Sequence, residues 1–232
     1  MTLSKRYPLR ISRGESAGSV NLFCTVTEDG ASGLGEASPG RLTGAASAED
    51  CENQIKDFLG ENTQALDNPF DGWQMARDAG VAPCAWAAVD TALWDLLARS
   101  QSKPLYRLLG LPRRAVPTSV TIGILPPDVV RERVPEVIQR TGARYLKVKL
   151  GSPEGLDADC EMFSAVQEAA SSFDVKVRVD ANGGWNLKDA QKMMTWLKKH
   201  DCDYVAQPLH HNNDDELPAL FKNRALPIFI DE

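Results

Sequence analysis

The sequence lacks the patterns that mark several classes of protein. Its five cysteines stand far apart, without a Cys-x-x-Cys pair or the spacing of zinc ligands, which indicates reduced thiols. No apolar run approaches the roughly 20 residues needed to span a bilayer. The first residues also lack the apolar core of a signal peptide. We therefore expect a cytoplasmic protein that does not insert into a membrane.

Positive charge is scarce as well. The 26 Lys and Arg residues are outnumbered by 32 Asp and Glu, and the net charge of −6 argues against a nucleic-acid partner. The glycine-rich loops that bind nucleotide phosphates, Gly-x-Gly-x-x-Gly and Gly-Lys-Ser/Thr, do not occur. What the chain does have is 232 residues, 43% of them hydrophobic, which suffices for one large or two small domains with a packed core.

Two lysines share one predicted strand, over residues 145–150. Because side chains alternate along a strand, Lys147 and Lys149 should point to the same face. Two ammonium groups on one interior face are costly unless carboxylates or a catalytic task lie opposite. The next predicted strand, over residues 175–180, ends in Asp180 and supplies that opposite charge. The sequence therefore predicts a site where these two strands end.

Strands and then helices are predicted in the first half of the chain. An Asp-Gly turn joins two predicted strands at residues 18–28 and 33–37. A helix capped by Ser47 follows, and apolar residues at helical spacing predict another over residues 82–98. We expect an N-terminal α+β domain over residues 1–112.

Strands alternate with helices beyond a boundary at residues 111–114. The spacing of about 25 to 30 residues from strand to strand is that of β/α units in a parallel sheet. The strands are predicted at 117–123, 145–150, 175–180, 203–207 and 227–231, and the helices at 127–141, 156–171, 187–200 and 213–223.

Charged residues close three of these strands, namely Lys149, Asp180 and Asp231. This pattern favours a barrel with its site at the carboxyl ends of the strands over an open doubly wound sheet. Residues 113–232 are thus predicted to form an α/β domain, a partial, five-stranded, modified TIM (β/α) barrel. Five strands cannot close a barrel of about eight strands. The sequence is accordingly interpreted either as a fragment truncated at its C-terminus or as an open sheet.

Short motifs in a fixed order run along nearly the whole chain: Asp29-Gly30, residues 33–37, 87–95 and 105–110, Lys147-x-Lys149, residues 180–185, Gln207-Pro208 and Asp231-Glu232. In this order they resemble the first two thirds of enolase-superfamily proteins of the muconate lactonizing enzyme subgroup. Within the subgroup, the resemblance is greatest to dipeptide epimerases of the L-Ala-D/L-Glu type.

The resemblance implies an N-terminal capping domain and a modified barrel. It also implies Mg²⁺ held by carboxylates at successive strand ends. In the family this ion binds the substrate carboxylate and stabilises the enolate formed when a base removes the α-proton. The implied partner is a small-molecule substrate, a dipeptide or other carboxylate. Whether the protein forms a homo-oligomer is left open.

The resemblance assigns roles to individual residues. Lys149 matches the acid/base lysine, and Lys147 matches its neighbour, which contacts the substrate carboxylate. Asp180 matches the first metal ligand, with Asn182 in the same motif lining the substrate site. Asp231 matches the third metal ligand.

Two further positions belong to the implied substrate pocket, and one position departs from the pattern. Thr121, on the first barrel strand, would line the pocket, and Arg13, in the N-terminal loop, could reach the far carboxylate of the substrate. The family's second metal ligand is a glutamate before Gln-Pro, and here that position is Ala206. Fewer carboxylates mean weaker charge compensation and weaker Mg²⁺ binding. The opposing lysine of the family, on a later strand, does not occur in this sequence.

Other interpretations stay open. Within the same fold the reaction could be that of a cycloisomerase or of an o-succinylbenzoate synthase-like enzyme. Ala206 and the missing second lysine also allow a non-catalytic, truncated remnant. Taken singly, the Lys-x-Lys strand could be a solvated face and Asp180 a loop cap.

Overall fold

The computed structural model describes residues 1–40, 43–113 and 117–231. Arg114, at the predicted boundary, and Glu232, in the last motif, lie outside the described residues.

Contacts within the chain divide it into two compact units. The first unit comprises Met1–Ser4 and Gly18–Ala115, and the second comprises Lys5–Ala17 and Val116–Glu232. The second unit thus includes residues 5–17, which the sequence had grouped with the N-terminal domain. The limits 1–112 and 113–232 stay a prediction for the domains.

The first unit combines a small antiparallel sheet with helices. Its core is formed by apolar residues of the helices, among them Phe58, Trp86 and Val89, which pack against the sheet. The elements assigned here are β3 (Leu22–Glu28), β4 (Ala31–Ala37), α1 (Ala48–Glu61), a 3₁₀ turn (Thr63–Leu66), α2 (Pro69–Asp78), α3 (Pro83–Ser100) and α4 (Leu105–Leu108). Ser47 caps α1 as predicted, because its side chain accepts a hydrogen bond from Asp50 N.

The N-terminal hairpin differs from the prediction. Strands β1 (Thr2–Ile11) and β2 (Gly14–Val20) pair with each other, and the single strand predicted over residues 18–28 is wrong. The run divides at Asn21, which is buried and exchanges backbone hydrogen bonds with Met1 at 2.9 and 2.6 Å. The backbone groups of Asn21 are used in this pairing with Met1, and Asn21 separates the end of β2 from the start of β3.

The second unit is built on a parallel five-stranded sheet with the order β5-β6-β7-β8-β9. Each strand but the last is followed by a helix that returns the chain to the next strand. The elements are β5 (Ser119–Ile122), α5 (Pro127–Thr141), β6 (Tyr145–Lys149), α6 (Leu156–Ala170), β7 (Lys176–Asp180), α7 (Leu187–Lys198), β8 (Cys202–Ala206), a 3₁₀ helix (His211–Glu216), α8 (Leu217–Lys222) and β9 (Ile228–Phe229). The predicted fold class, an α+β part followed by a partial (β/α) barrel, is confirmed.

Alternation along the strands separates an apolar face from a polar one. Leu146 and Val148 of β6 are fully buried in the core that the strands share with α5, α6 and α7. The intervening residues of β6, Lys147 and Lys149, must therefore point to the opposite face. Helix α7 shows the matching pattern, because its buried residues recur at helical spacing: Ala190, Met193, Met194 and Leu197.

No helix within the described ranges has both the length and the apolar character that crossing a bilayer requires. All five cysteines are free thiols, as the sequence indicated. Burial raises the pKa of the Cys202 thiol to about 12, which leaves that thiol unreactive at neutral pH.

Candidate functional site

Three neighbouring strands end at the same level of the sheet. In the parallel register, Lys149 at the end of β6 pairs with Asp180 at the end of β7. Asp180 in turn pairs with Ala206 at the end of β8. Paired residues of adjacent strands share a face, so a basic, an acidic and an apolar side chain lie side by side.

Four charged side chains meet at these strand ends, and we call Lys147, Lys149, Asp180 and Asp231 the strand-end quartet. Lys149 Nζ lies 2.6 Å and Lys147 Nζ 2.8 Å from Asp180 Oδ2. Lys147 Nζ also lies 3.2 Å from Asp231 Oδ2. The structure therefore brings all four together on one side of the sheet, where the sequence predicted them.

Burial gives these ion pairs their strength. The Asp180 side chain is inaccessible to solvent, and those of Lys147 and Lys149 are 23% and 12% exposed. Burial favours the neutral carboxyl of Asp180, but hydrogen bonds from both lysines outweigh it, and its pKa lies below the usual range. Burial disfavours the charged form of Lys147, but its bonds to Asp180 and Asp231 outweigh this and raise its pKa. Lys147 and Asp180 are thus both ionised at neutral pH.

Asp231 does not close a strand, contrary to the prediction. Strand β9 ends at Phe229, and Asp231 follows it in an irregular segment with 49% of its side chain exposed. Its position is set by Gln207, whose Oε1 accepts a hydrogen bond from Asp231 N at 2.9 Å. In the sequence, Gln207 stands out only as part of the Gln207-Pro208 motif. A buried glutamine directly after a strand was the signal that could have identified it.

The donor set can be tested against the metal that the family implies. Among residues 1–40, 43–113 and 117–231, no three His, Cys, Asp or Glu side chains converge into a metal-binding group. The quartet supplies two carboxylates, and the residue that pairs with Asp180 on the next strand is Ala206, which adds only a methyl group. Mg²⁺ is ordinarily bound by one or two carboxylates together with water, so Asp180 and Asp231 fit a hydrated ion.

Asn182 and the loop of Arg13 approach the end of β7. Ser12 Oγ donates a hydrogen bond of 2.8 Å to the Asn182 carbonyl, which fixes the β1–β2 turn beside this loop. Arg13 is the next residue of that turn and is exposed. Asn182 is buried, and its backbone N donates to Asp180 Oδ1 at 2.9 Å. Ser12 had no sequence signal, because it acts through a contact with a distant part of the chain.

Thr121 lies at the register of Lys147, on the neighbouring strand β5. It lines a cavity of about 430 Å³ with residues of β1 and α5, among them Tyr7 and Arg133. None of the quartet lines this cavity. A role for Thr121 in binding substrate stays a prediction.

An ion pair between Arg10 of β1 and Glu154 of the loop after β6 leads us to expect acid sensitivity. Hydrogen bonds from Ser152 Oγ and from Arg10, the latter at 2.6 Å, lower the pKa of Glu154 to about 2. A carboxyl with a depressed pKa stabilises the fold above its unfolded pKa, and this contribution is lost as the pH falls towards the folded value. We expect Glu154→Gln to reduce the loss of stability between pH 5 and pH 3, as measured by urea unfolding.

The matched control for this prediction is Glu161→Gln, which changes an exposed glutamate of α6 in the same way. It should retain the full pH dependence of the original chain. If Glu154→Gln loses as much stability between the two pH values as the original chain does, the ion pair has no part in acid sensitivity.

Fold and site together are those of a (β/α)-barrel protein whose charged groups stand at the carboxyl ends of its strands. Two family models match the chain: the mandelate racemase/muconate lactonizing enzyme N-terminal domain over residues 2–110, and the enolase C-terminal domain-like family over residues 129–232. The chain belongs to the mandelate racemase/muconate lactonizing enzyme family of the enolase superfamily.

Curated relatives include two hydrophobic dipeptide epimerases. The chain is 56% identical over 230 residues to the one from Roseobacter litoralis. The matched region comprises 99% of this chain and 66% of that relative. It is 47% identical over 232 residues to the one from a Flavobacteria bacterium, with 100% of this chain and 66% of the relative covered. The chain therefore spans slightly less than two thirds of the length of these relatives.

Solved structures share the fold along the whole chain. The dipeptide epimerase from Enterococcus faecalis, solved with Mg and L-Leu-L-Tyr, matches with a TM-score of 0.84 at 28% identity. The dipeptide epimerase from Cytophaga hutchinsonii, solved with Mg and D-Ala-L-Val, matches with a TM-score of 0.82 at 26% identity. The chain covers 65% and 63% of these structures.

Proposed function

We propose that this chain carries the α-proton transfer site of a dipeptide epimerase, an isomerase, with Lys149 as the acid/base group. The observation that supports the proposal is the strand-end quartet. Two ammonium groups contact one buried carboxylate oxygen of Asp180 at 2.6 and 2.8 Å. A proton next to a carboxylate is very weakly acidic, so its removal requires a positioned base and nearby positive charge.

The two lysines have different tasks in this proposal. Lys149 is the less exposed lysine, and the 2.6 Å contact with Asp180 holds its Nζ in one place, as a proton-transfer group requires. Lys147 has a raised pKa and therefore keeps its charge at neutral pH, which suits it to bind the carboxylate of the substrate. The proton that Lys149 exchanges is then the one on the α-carbon beside that carboxylate.

Asp180 and Asp231 are the residues that would hold Mg²⁺. The bound ion would offset negative charge on the substrate carboxylate as the α-proton leaves. Both carboxylates also contact Lys147, so a bound ion would act next to that ammonium group. With Ala206 in place of a further carboxylate, we expect weak Mg²⁺ affinity.

The substrate class is inferred from the relatives. Those at 56% and 47% identity are hydrophobic dipeptide epimerases, which favours a dipeptide with apolar side chains. Neither the cycloisomerase nor the o-succinylbenzoate synthase alternative is better supported by these relatives. In this proposal Asn182 and Thr121 contact the dipeptide, and Arg13 binds its distal end.

Deuterium exchange tests the proposal directly. The chain is incubated in D₂O with MgCl₂ and L-Leu-L-Tyr, and incorporation at the α-carbon of the C-terminal residue is measured by mass spectrometry. We expect one deuterium per molecule, and slower incorporation into L-Ala-L-Glu. Incorporation no faster than with MgCl₂ alone would contradict the proposal and support the non-catalytic alternative.

A further inference from the structure

The loops that follow β6 and β7 begin directly after two residues of the quartet. Lys149 directly precedes the first loop, and Asp180 directly precedes the second. The loops touch through their backbones. Gly151 has a φ of +79°, and a Cβ there would lie 2.5 Å from the Ala181 carbonyl oxygen and 2.9 Å from Gly184 Cα. Only glycine allows the two backbones to come this close. A side chain that bonds to one loop can therefore also reach the other.

A single buried carboxylate bonds to both loops. Asp159, on α6, is 1% exposed. Its Oδ1 accepts a hydrogen bond from Ser152 N at 2.9 Å, and its Oδ2 accepts one from Gly151 N at 3.1 Å. Oδ2 also accepts a hydrogen bond from the indole Nε1 of Trp185 at 2.9 Å. Gly151 and Ser152 belong to the loop after β6, and Trp185 belongs to the loop after β7.

The chemistry of Asp159 suits a link between loops. An ionised carboxylate accepts hydrogen bonds on both oxygens, whereas an asparagine amide would turn a donor towards one of these N–H groups. Burial is costly for this carboxyl and raises its pKa. The three hydrogen bonds from N–H groups of the two loops offset that cost.

We propose that Asp159 and Trp185 are positioning residues, which fix the loop that follows Lys149 relative to the loop that follows Asp180. The inference rests on the proposed function, because it concerns the geometry of the proton-transfer site. Asp159 touches neither Lys149 nor Asp180 in the contacts described above. It acts through the backbone of Gly151 and through the ring of Trp185.

Trp185→Phe is the sharpest test, because it removes the indole N–H and leaves an aromatic ring in the core. We expect kcat for α-deuterium exchange, per folded molecule, to fall about tenfold, with KM changed less than about twofold. Trp196→Phe is the matched control. Trp196 lies on α7 of the same unit and packs edge-on against Phe163, 5.8 Å between ring centroids. This control should keep the kcat of the original chain.

A second measurement does not depend on catalysis. Backbone hydrogen exchange, followed by mass spectrometry of peptides from the two loops, should be about tenfold faster in both loops of Asp159→Asn. In Trp185→Phe it should be faster in the loop over residues 181–186, and in Trp196→Phe in neither. If the original chain shows no α-deuterium exchange, the proposed function fails, and this measurement still decides whether Asp159 links the loops.

Two results would overturn the inference. One is unchanged backbone exchange in both loops of Asp159→Asn, because the carboxylate would then hold nothing. The other is unchanged kcat in Trp185→Phe in spite of faster loop exchange, because the link would then be structural only. Should Asp159→Asn fail to fold, Trp185→Phe still tests the link, because unchanged exchange in the loop over residues 181–186 would show that the hydrogen bond from Trp185 to Asp159 holds nothing.

Discussion

Replacing Lys149 with alanine is expected to lower the rate of α-deuterium exchange by about a thousandfold, since a positioned acid/base group contributes on the order of 10² to 10⁴ in rate. Asp180 keeps the Lys147 ammonium at 2.8 Å in this variant, so the buried carboxylate is not left without a counter-ion. The measurement is the mass-spectrometric assay with L-Leu-L-Tyr, normalised to the folded fraction from circular dichroism.

Lys176→Ala is the matched control for this substitution. Lys176 is an exposed lysine on the adjacent strand β7, so its loss changes the same charge without touching the quartet. Its rate should equal that of the original chain within about twofold. A Lys149→Ala variant that exchanges deuterium as fast as Lys176→Ala would exclude Lys149 as the base.

Replacing Ala206 with glutamate is expected to raise the affinity for Mg²⁺ by about a hundredfold, because charge count and ligand number set the affinity of carboxylate sites. Ala206 pairs in register with Asp180 on one side and with Phe229 on the other, and it is 3% exposed. A glutamate there would join the same face as Asp180. Titration calorimetry with MgCl₂ measures the change without any need for activity.

Ala206→Gln separates charge from size in this experiment. Glutamine has nearly the shape of glutamate but brings a neutral amide, so it should raise the affinity far less. Equal affinities in the original chain and in Ala206→Glu would mean that position 206 does not face the ion. Equal gains in the glutamate and glutamine variants would mean that the added volume, not the carboxylate, is responsible.

Local periodicity was enough to predict the central part of the site. Alternation along β6 and β7 put Lys147, Lys149 and Asp180 on one face, and the coordinates confirm this arrangement. A helix cap was equally readable, since Ser47 accepts a hydrogen bond from Asp50 N at the start of α1, as predicted. These features depend on residues a few positions apart, which is the range that sequence patterns report.

The features that were missed depend on other information. Helix α2 was not predicted, although Asn68 before Pro69 is a helix-start signal and Asn68 does cap it. The hairpin partner β1 was not predicted either, although it has partly buried residues at alternating positions, namely Leu3, Tyr7, Leu9 and Ile11. A proline within the strand weakens that signal. Asp159 and Gln207 act through contacts with other segments of the chain, and no local pattern reports such contacts.

The resemblance to a family identified residues that the periodicity of strands and helices did not. It singled out Asp231, which the strand pattern placed wrongly but which does contact Lys147. The roles given to Thr121, Asn182 and Arg13 stay predictions. These three residues were assigned from the resemblance alone, because nothing in the charge or periodicity of the sequence requires them to bind a substrate.

The ion pairs of Lys147 have a consequence for how the chain folds. The two ammonium groups and two carboxylates of the quartet balance, so no excess of like charge has to be neutralised from outside while the chain folds. Proteins whose ligands repel one another, or cannot pair, need their ion in order to fold. We therefore expect this chain to reach its native state without an ion, so that with no MgCl₂ added a chelator such as EDTA should leave its melting temperature unaltered.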